Sequence, residues 1–144
     1  MRGADTLIPA RFLTLIGHLC VVITLLWESD QSLRHCLPSQ FNKEHFQTYH
    51  NRLVAGYGSS LALILVELIT FLSGLTMFSP SVCLISVVGH GSASILLTYF
   101  VLGGWLCDWF WPIFAVCNVL PASADMASAL KTLCSINWQI INRS

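Results

Sequence analysis

The sequence is short of charge. Asp, Glu, Lys and Arg make up 10% of its 144 residues, hydrophobic residues 55%, and the mean hydropathy is +0.70. A soluble domain carries about 25% charged residues. So little charge excludes a water-facing globular surface and points to an integral membrane protein of one domain. Basic and acidic residues balance at seven each, which removes the basic surface a nucleic-acid partner needs. The six cysteines show no CxxC or Cys/His spacing, so zinc, haem and thioredoxin-like redox chemistry lack a ligand set. A Gly-rich phosphate loop, HExxH and a nucleophile motif are also missing. No catalytic group, metal, cofactor or small-molecule substrate is expected. Strict apolar/polar alternation is missing too, which leaves helices rather than a closed barrel as the spanning form.

What is present is four apolar segments, at about residues 7–27, 53–78, 82–105 and 109–130. Each is near the roughly 20 residues a spanning helix requires. The expected fold is an all-α membrane protein, a four-helix antiparallel transmembrane bundle over residues 1–130 followed by a cytosolic tail at 131–144. The first segment follows Arg2 and Arg11 as a signal peptide would, but "ESDQ" comes after Trp27 in place of a small-x-small cleavage site. It reads as a retained signal anchor.

The connections are unequal. "SPS" (79–81) and "LCD" (106–108) imply tight second and third turns, whereas the first loop covers about residues 28–52. Within it, "FNKEHFQTYHNRL" has a helix-start pattern. Asn42 is placed to cap, and Phe41 and Phe46 occupy staple positions. Phe46, Tyr49 and Leu53 then share one face, so a short amphipathic surface helix is expected to run into the second span. His35, His45 and His50 share this loop without the i, i+4 spacing of a helical zinc pair and read as surface imidazoles.

Four spans place both termini on one side. That side carries Arg2, Arg11, Lys131 and Arg143, against Arg34, Lys43 and Arg52 opposite. The positive-inside rule, weighted to the first span, puts the termini in the cytosol and the first loop outside it. Trp27, Trp105, Trp109 and Trp111 then all fall at the non-cytosolic ends, where tryptophan forms an interfacial belt. Cys36 and Cys107 face the same oxidising compartment, so a disulfide between them stands beside the alternative of two free thiols. The sequon "NRS" (142–144) lies on the cytosolic side, and no glycan is expected there.

Each span carries polar residues at depth. Thr14 and His18 share a face of the first, with Arg11 one turn back. The second draws a small and polar stripe through Gly56, Ser60, Leu63, Glu67, Thr70 and Gly74. The third has Ser86, His90 and Ser94 at fours. The fourth has Asn118, Ala122, Asp125 and Ala129, with Pro121 expected to kink it. An acidic residue at the centre of a span costs roughly 2.5–3.5 kcal/mol on insertion scales, so it faces protein or water. Glu67, His90 and Asp125 are therefore expected in one interior cluster, with His18 and Asn118 as further interhelical polar contacts. Two readings compete. In one, the cluster is glue between helices, each contact contributing about 0.6–2 kcal/mol. In the other, Glu67, His90 and Asp125 relay protons or bind an ion in a small transporter or channel subunit. The lack of a broken-helix repeat of the transporter type favours glue.

The segments "LIPARFLTLIGHLCVVITLLW", "CLP" (36–38), "VELITFLSGLTMF", "CLISVVGHGSAS" and "VCNVLPASADMA" resemble, in order and spacing, the vertebrate transmembrane protein 107 family. The resemblance covers about residues 7–129. It implies a small, non-enzymatic, four-span protein, made in the endoplasmic reticulum and resident in the membrane of the ciliary transition zone. Its implied partners are membrane lipids and the Meckel-syndrome module of transition-zone proteins, including tectonics. Its implied role is control of ciliary membrane composition, ciliogenesis and Hedgehog signalling, with ciliopathy as the consequence of loss. The resemblance marks Glu67 as a packing determinant and places Cys36 and Cys107 at matching cysteine positions. The tail "KTLCSINWQIINRS" departs from the family's lysine-rich end, so no contact through a basic tail is carried over.

Overall fold

The computed structural model describes the backbone of residues 2–36 and 43–143, and the side chains of 6–34 and 46–143. Among the described residues there are helices and turns and no strands. The helices are α1 (Arg2–Trp27), α2 (Ser29–Cys36), α3 (Lys43–Leu72), α4 (Pro80–Leu102), α5 (Phe110–Phe114) and α6 (Leu120–Ile141). A 3-10 turn at Cys107–Trp109 precedes α5, and a π turn at Ala115–Val119 joins α5 to α6. Four stretches are long and apolar enough to cross a bilayer: Thr6–Trp27, Phe46–Leu72, Pro80–Leu102 and Cys107–Ile141.

The surface is the inverse of a soluble protein's. Leu102 is 79% exposed, Leu13 68% and Ile69 65%, whereas Arg11, His18, Glu67, His90 and Asp125 are all at 0%. An apolar exterior of this extent requires lipid around it, and a polar interior is how membrane helices hide their ionisable groups. The chain is a multi-pass membrane protein with an all-helical fold.

Spans next to each other in sequence run antiparallel, as expected, but the chain also builds parallel pairs. α1 and α4 run side by side in one direction, with Arg11 near Cys83 and His18 against His90. α3 pairs likewise with the fourth span, from Gly56 at Phe110 of α5 to Thr70 at Asp125 of α6. Small residues set these distances. A Cβ on Gly56 would lie 2.4 Å from the Phe110 ring, and one on Gly89 would lie 3.1 Å from Pro121. Close backbone approach of this kind is how helices associate where burial in lipid gives no hydrophobic drive. Tyr57 meets the Phe110 ring edge-on at 5.0 Å and closes the core at that end.

Several expected boundaries move. The second span ends at Leu72 rather than 78, because residues 73–78 fold into turns with Gly74 at φ +80°. Thr76 in these turns is fully buried. The connection to α4 is therefore longer than "SPS", and it folds in over the bundle end. The third span closes at Leu102 rather than 105, and Gly103 caps it through its N–H to the Tyr99 carbonyl. The helix of the fourth span continues past residue 130, as an exposed stretch of α6 to Ile141. Pro121 acts through the π turn. The Leu120 N–H reaches the Ala115 carbonyl five residues back, which re-spaces the ladder just before the residue that has no N–H.

In the first loop, α3 runs unbroken from Lys43 into the membrane span, so the surface helix and the span are one element. Phe46 and Tyr49 pack against the core as their shared face requires. The Asn42 cap and the Phe41 staple position lie outside the described residues. The short helix α2 had no counterpart in the sequence reading. It buries Leu33 completely, and its Asp30 pairs with His50 Nε2 at 3.0 Å, tying α2 to α3.

Candidate functional site: an ionic network across four spans

Arg11 is the hub. Its Nη2 donates to Asp125 Oδ1 at 2.5 Å and lies 3.9 Å from Glu67 Oε2. Its Nη1 donates to Thr76 Oγ1 at 3.2 Å and to the Thr76 carbonyl at 3.4 Å. The guanidinium also stands 5.2 Å from the centre of the Phe71 ring. One planar cation thus holds α3, α6 and the α3–α4 turn against α1, using the several donors that a guanidinium fork presents at fixed angles.

A hydrogen-bonded chain leaves from Glu67. His90 Nε2 is 3.0 Å from Glu67 Oε1, and His90 Nδ1 is 2.8 Å from His18 Nδ1. One of the two imidazoles donates in that contact and the other accepts. Ser86 donates to Glu67 Oε2 at 3.3 Å. At the other end, the Thr70 hydroxyl donates to Asp125 Oδ2. Network members come from α1, α3, α4 and α6, so each spanning helix contributes.

The structure brings together Glu67, His90, Asp125 and His18, all expected at the site. Asn118 is buried on the π turn, and its Oδ1 has no hydrogen-bond partner among the described residues. Arg11 corrects the sequence reading most sharply. It was counted among the cytosolic flanking charges, yet it is fully buried and ion-paired. The available signal was its face, since Arg11, Thr14 and His18 line one side of α1. Asp125 is the main partner of that charge.

The remaining expected positions are simpler. Trp27, Trp105, Trp109 and Trp111 are all solvent- or lipid-exposed at the bundle end where α1 and α4 finish. Trp105 and Trp109 meet edge-on at 6.0 Å, and Arg52 stands 5.9 Å over the Trp111 ring. Cys107 is buried and disulfide-bonded; the Cys36 side chain, and with it their pairing, lies outside the described residues. Cys20, Cys83, Cys117 and Cys134 are free thiols. No group of three His, Cys, Asp or Glu able to hold a metal occurs among the described residues. The side chains of His35 and His45 lie outside them.

Chemically, the network pairs and orients. Each of its charged groups has an oppositely charged or hydrogen-bonding neighbour, as burial demands. The imidazole chain stops inside the protein, because His18 Nε2 has no partner among the described residues.

The family model TMEM107, described as a transmembrane protein, matches residues 7–129. A protein of Homo sapiens named Transmembrane protein 107 is 46% identical over 127 residues, covering 88% of this chain and 91% of the relative. Its namesake in Danio rerio is 40% identical over 126 residues, covering 88% and 93%. That of Xenopus laevis is 37% identical over 126 residues, covering 88% and 90%. No solved structure matches. These relatives are named for a transmembrane protein and not for an enzyme.

Proposed function

This chain belongs to the transmembrane protein 107 family, and from that premise we propose that it is a non-enzymatic structural component of the ciliary transition-zone membrane. There it works with the Meckel-syndrome module, tectonics included, to control which membrane proteins enter the cilium, and so supports ciliogenesis and Hedgehog signalling. The observation that carries the reading is the use made of the buried ionisable groups. Arg11, Glu67, His90 and Asp125 are spent on one another, at 0% exposure, and join all four spans into one rigid unit. A rigid bundle with an apolar exterior suits a scaffold that presents fixed helix faces to lipid and to neighbouring membrane proteins.

A second reading, as a small proton- or ion-coupled transporter or channel subunit, has one feature in its favour, the chain His18–His90–Glu67. Its ending inside the bundle weighs against it.

Two measurements test the proposal. The chain, tagged internally in its first loop, is expected as a discrete band between basal body and axoneme in ciliated cells; diffuse retention in the endoplasmic reticulum would refute it. Glu67→Gln retains hydrogen bonding to His90 and Ser86, and is expected to assemble and localise normally. Glu67→Leu is expected to fail at both. If Glu67→Gln inserts but abolishes function, weight moves to the relay.

A further inference from the structure

Between the parallel helices α1 and α4 runs a groove open to the outside. Its deep part has a volume of about 300 Å³ and is walled by Cys20, Val21, Leu97 and Thr98. It continues, past Thr24, Leu25, Val101 and Leu102, into a second hollow of about 440 Å³. That hollow ends at Glu28, Gln31 and Ser32, where α1 gives way to α2. Joined, the two hollows fall in the size range of small-molecule sites, about 300–1,000 Å³. From Cys20 to Trp27 the groove follows about 10 Å of α1 at 1.5 Å per residue, and it goes on to the start of α2.

The groove has a polarity gradient. In the deep part the hydroxyls are bonded to backbone carbonyls. Thr24 Oγ1 donates to the Cys20 carbonyl at 2.8 Å and Thr98 Oγ1 to the Ser94 carbonyl at 2.7 Å. Both hydroxyls are therefore already engaged by their own helix. At the mouth, by contrast, the Glu28 carboxylate and the Gln31 amide make no hydrogen bond or ion pair with another described side chain. The mouth lies at the tryptophan end of the bundle, where lipid gives way to water. A ligand that fits has a long apolar body and one small hydrogen-bonding head at the interface.

We propose that this groove is a sterol site, with the ring system along Val21, Thr24 and Val101 and the hydroxyl donating to Glu28 beside Gln31. Two observations select a sterol over a phospholipid. The formal charge lining the described groove is the carboxylate of Glu28, which repels a phosphate head and accepts from a hydroxyl. Half of the residues lining the deep part are β-branched, Val21, Thr24, Thr98 and Val101, whose side chains are stiff at χ1. A rigid ring system loses less conformational freedom on seating there than an acyl chain does.

The test uses the full-length chain in liposomes with a photoreactive cholesterol and, separately, a photoreactive phosphatidylcholine, followed by peptide mapping. The sterol probe is expected to label residues around 20–31 and 97–102, competed by unlabelled cholesterol. Thr98→Trp fills the groove and Glu28→Leu removes the head's partner. Each is expected to lower labelling by about tenfold, the effect of losing one good contact. Ile69→Trp adds the same bulk on the exposed face of α3 and is expected to leave labelling unchanged. Equal labelling of the groove by both probes, or the same result for Thr98→Trp and Ile69→Trp, overturns the proposal. Should Thr98→Trp fail to insert, Glu28→Leu, which lies beyond the end of the span, decides alone: undiminished labelling there overturns it.

Discussion

Replacing Arg11 by methionine keeps the apolar stem and removes the cation. Asp125 then keeps only the Thr70 hydroxyl, and Glu67 keeps His90 and Ser86. Two buried carboxylates remain with no fixed positive charge between them. Breaking a buried pair from one side costs about 3–5 kcal/mol, because the partner's charge stays behind uncompensated. Asp125→Asn is milder. Asn still accepts from Arg11 through its one oxygen, its NH2 turns the Thr70 contact round by donating to that hydroxyl, and the Arg11 charge retains Glu67 at 3.9 Å, so the loss is that of a charge-assisted bond, about 1.5–3 kcal/mol. The double variant holds one carboxylate with a histidine beside it. It is therefore expected to be more stable than Arg11→Met alone, with a coupling of about 1–3 kcal/mol. Equilibrium unfolding in bicelles, followed by tryptophan fluorescence, gives all four corners of the cycle. If Arg11→Met unfolds within about 0.5 kcal/mol of the parent, as a surface substitution would, or if the two effects simply add, the network is not what holds the spans together.

Other expectations follow from single contacts. Gly56→Ala drives a methyl into the Phe110 ring at 2.4 Å and is expected to cost about 1–3 kcal/mol; Phe110→Leu in the same chain should restore much of it in the same assay. Gly74→Ala forces a side chain onto φ +80°, for about 1–2 kcal/mol, and is expected to loosen the turn that covers Arg11, read as faster proteolysis after residue 72. Ending the chain after Leu133 removes exposed helix only and keeps the Thr132 hydroxyl on the Leu75 carbonyl, so the unfolding midpoint should not move. Arg11→Lys loses the fork that reaches Asp125 and Thr76 together and is expected to behave more like methionine than like arginine.

The membrane class, the four spans and the inward stripe of α3 were legible because each rests on local composition or spacing. Glu67, His90 and Asp125 could be named as interior for the same reason: lipid does not tolerate them elsewhere. What spacing does not encode is partners. Arg11 meets residues 65 and 114 positions away, and a face on one helix says nothing about which helix it meets. Its place near the start of an apolar run made it look like a flanking charge, since counting of basic residues cannot tell a cation at the interface from one bent into the bundle. The turns at residues 73–78 escaped notice because Leu75, Met77 and Phe78 prolong the apolar run past the point where Gly74 has already ended the helix. The helix α2 escaped because a single buried apolar residue among its described side chains, Leu33, leaves no periodic trace.

The Arg11–Asp125 pair also sets an order of events during synthesis. Arg11 enters the bilayer with the first span, and its main counter-ion arrives with the last. Until the fourth segment has left the ribosome, the nascent protein carries an unanswered cation among lipids, partly matched by Glu67 once the second span is in. A product that stops short of residue 125 keeps a guanidinium inside the membrane without its main counter-ion, however well its first three spans insert.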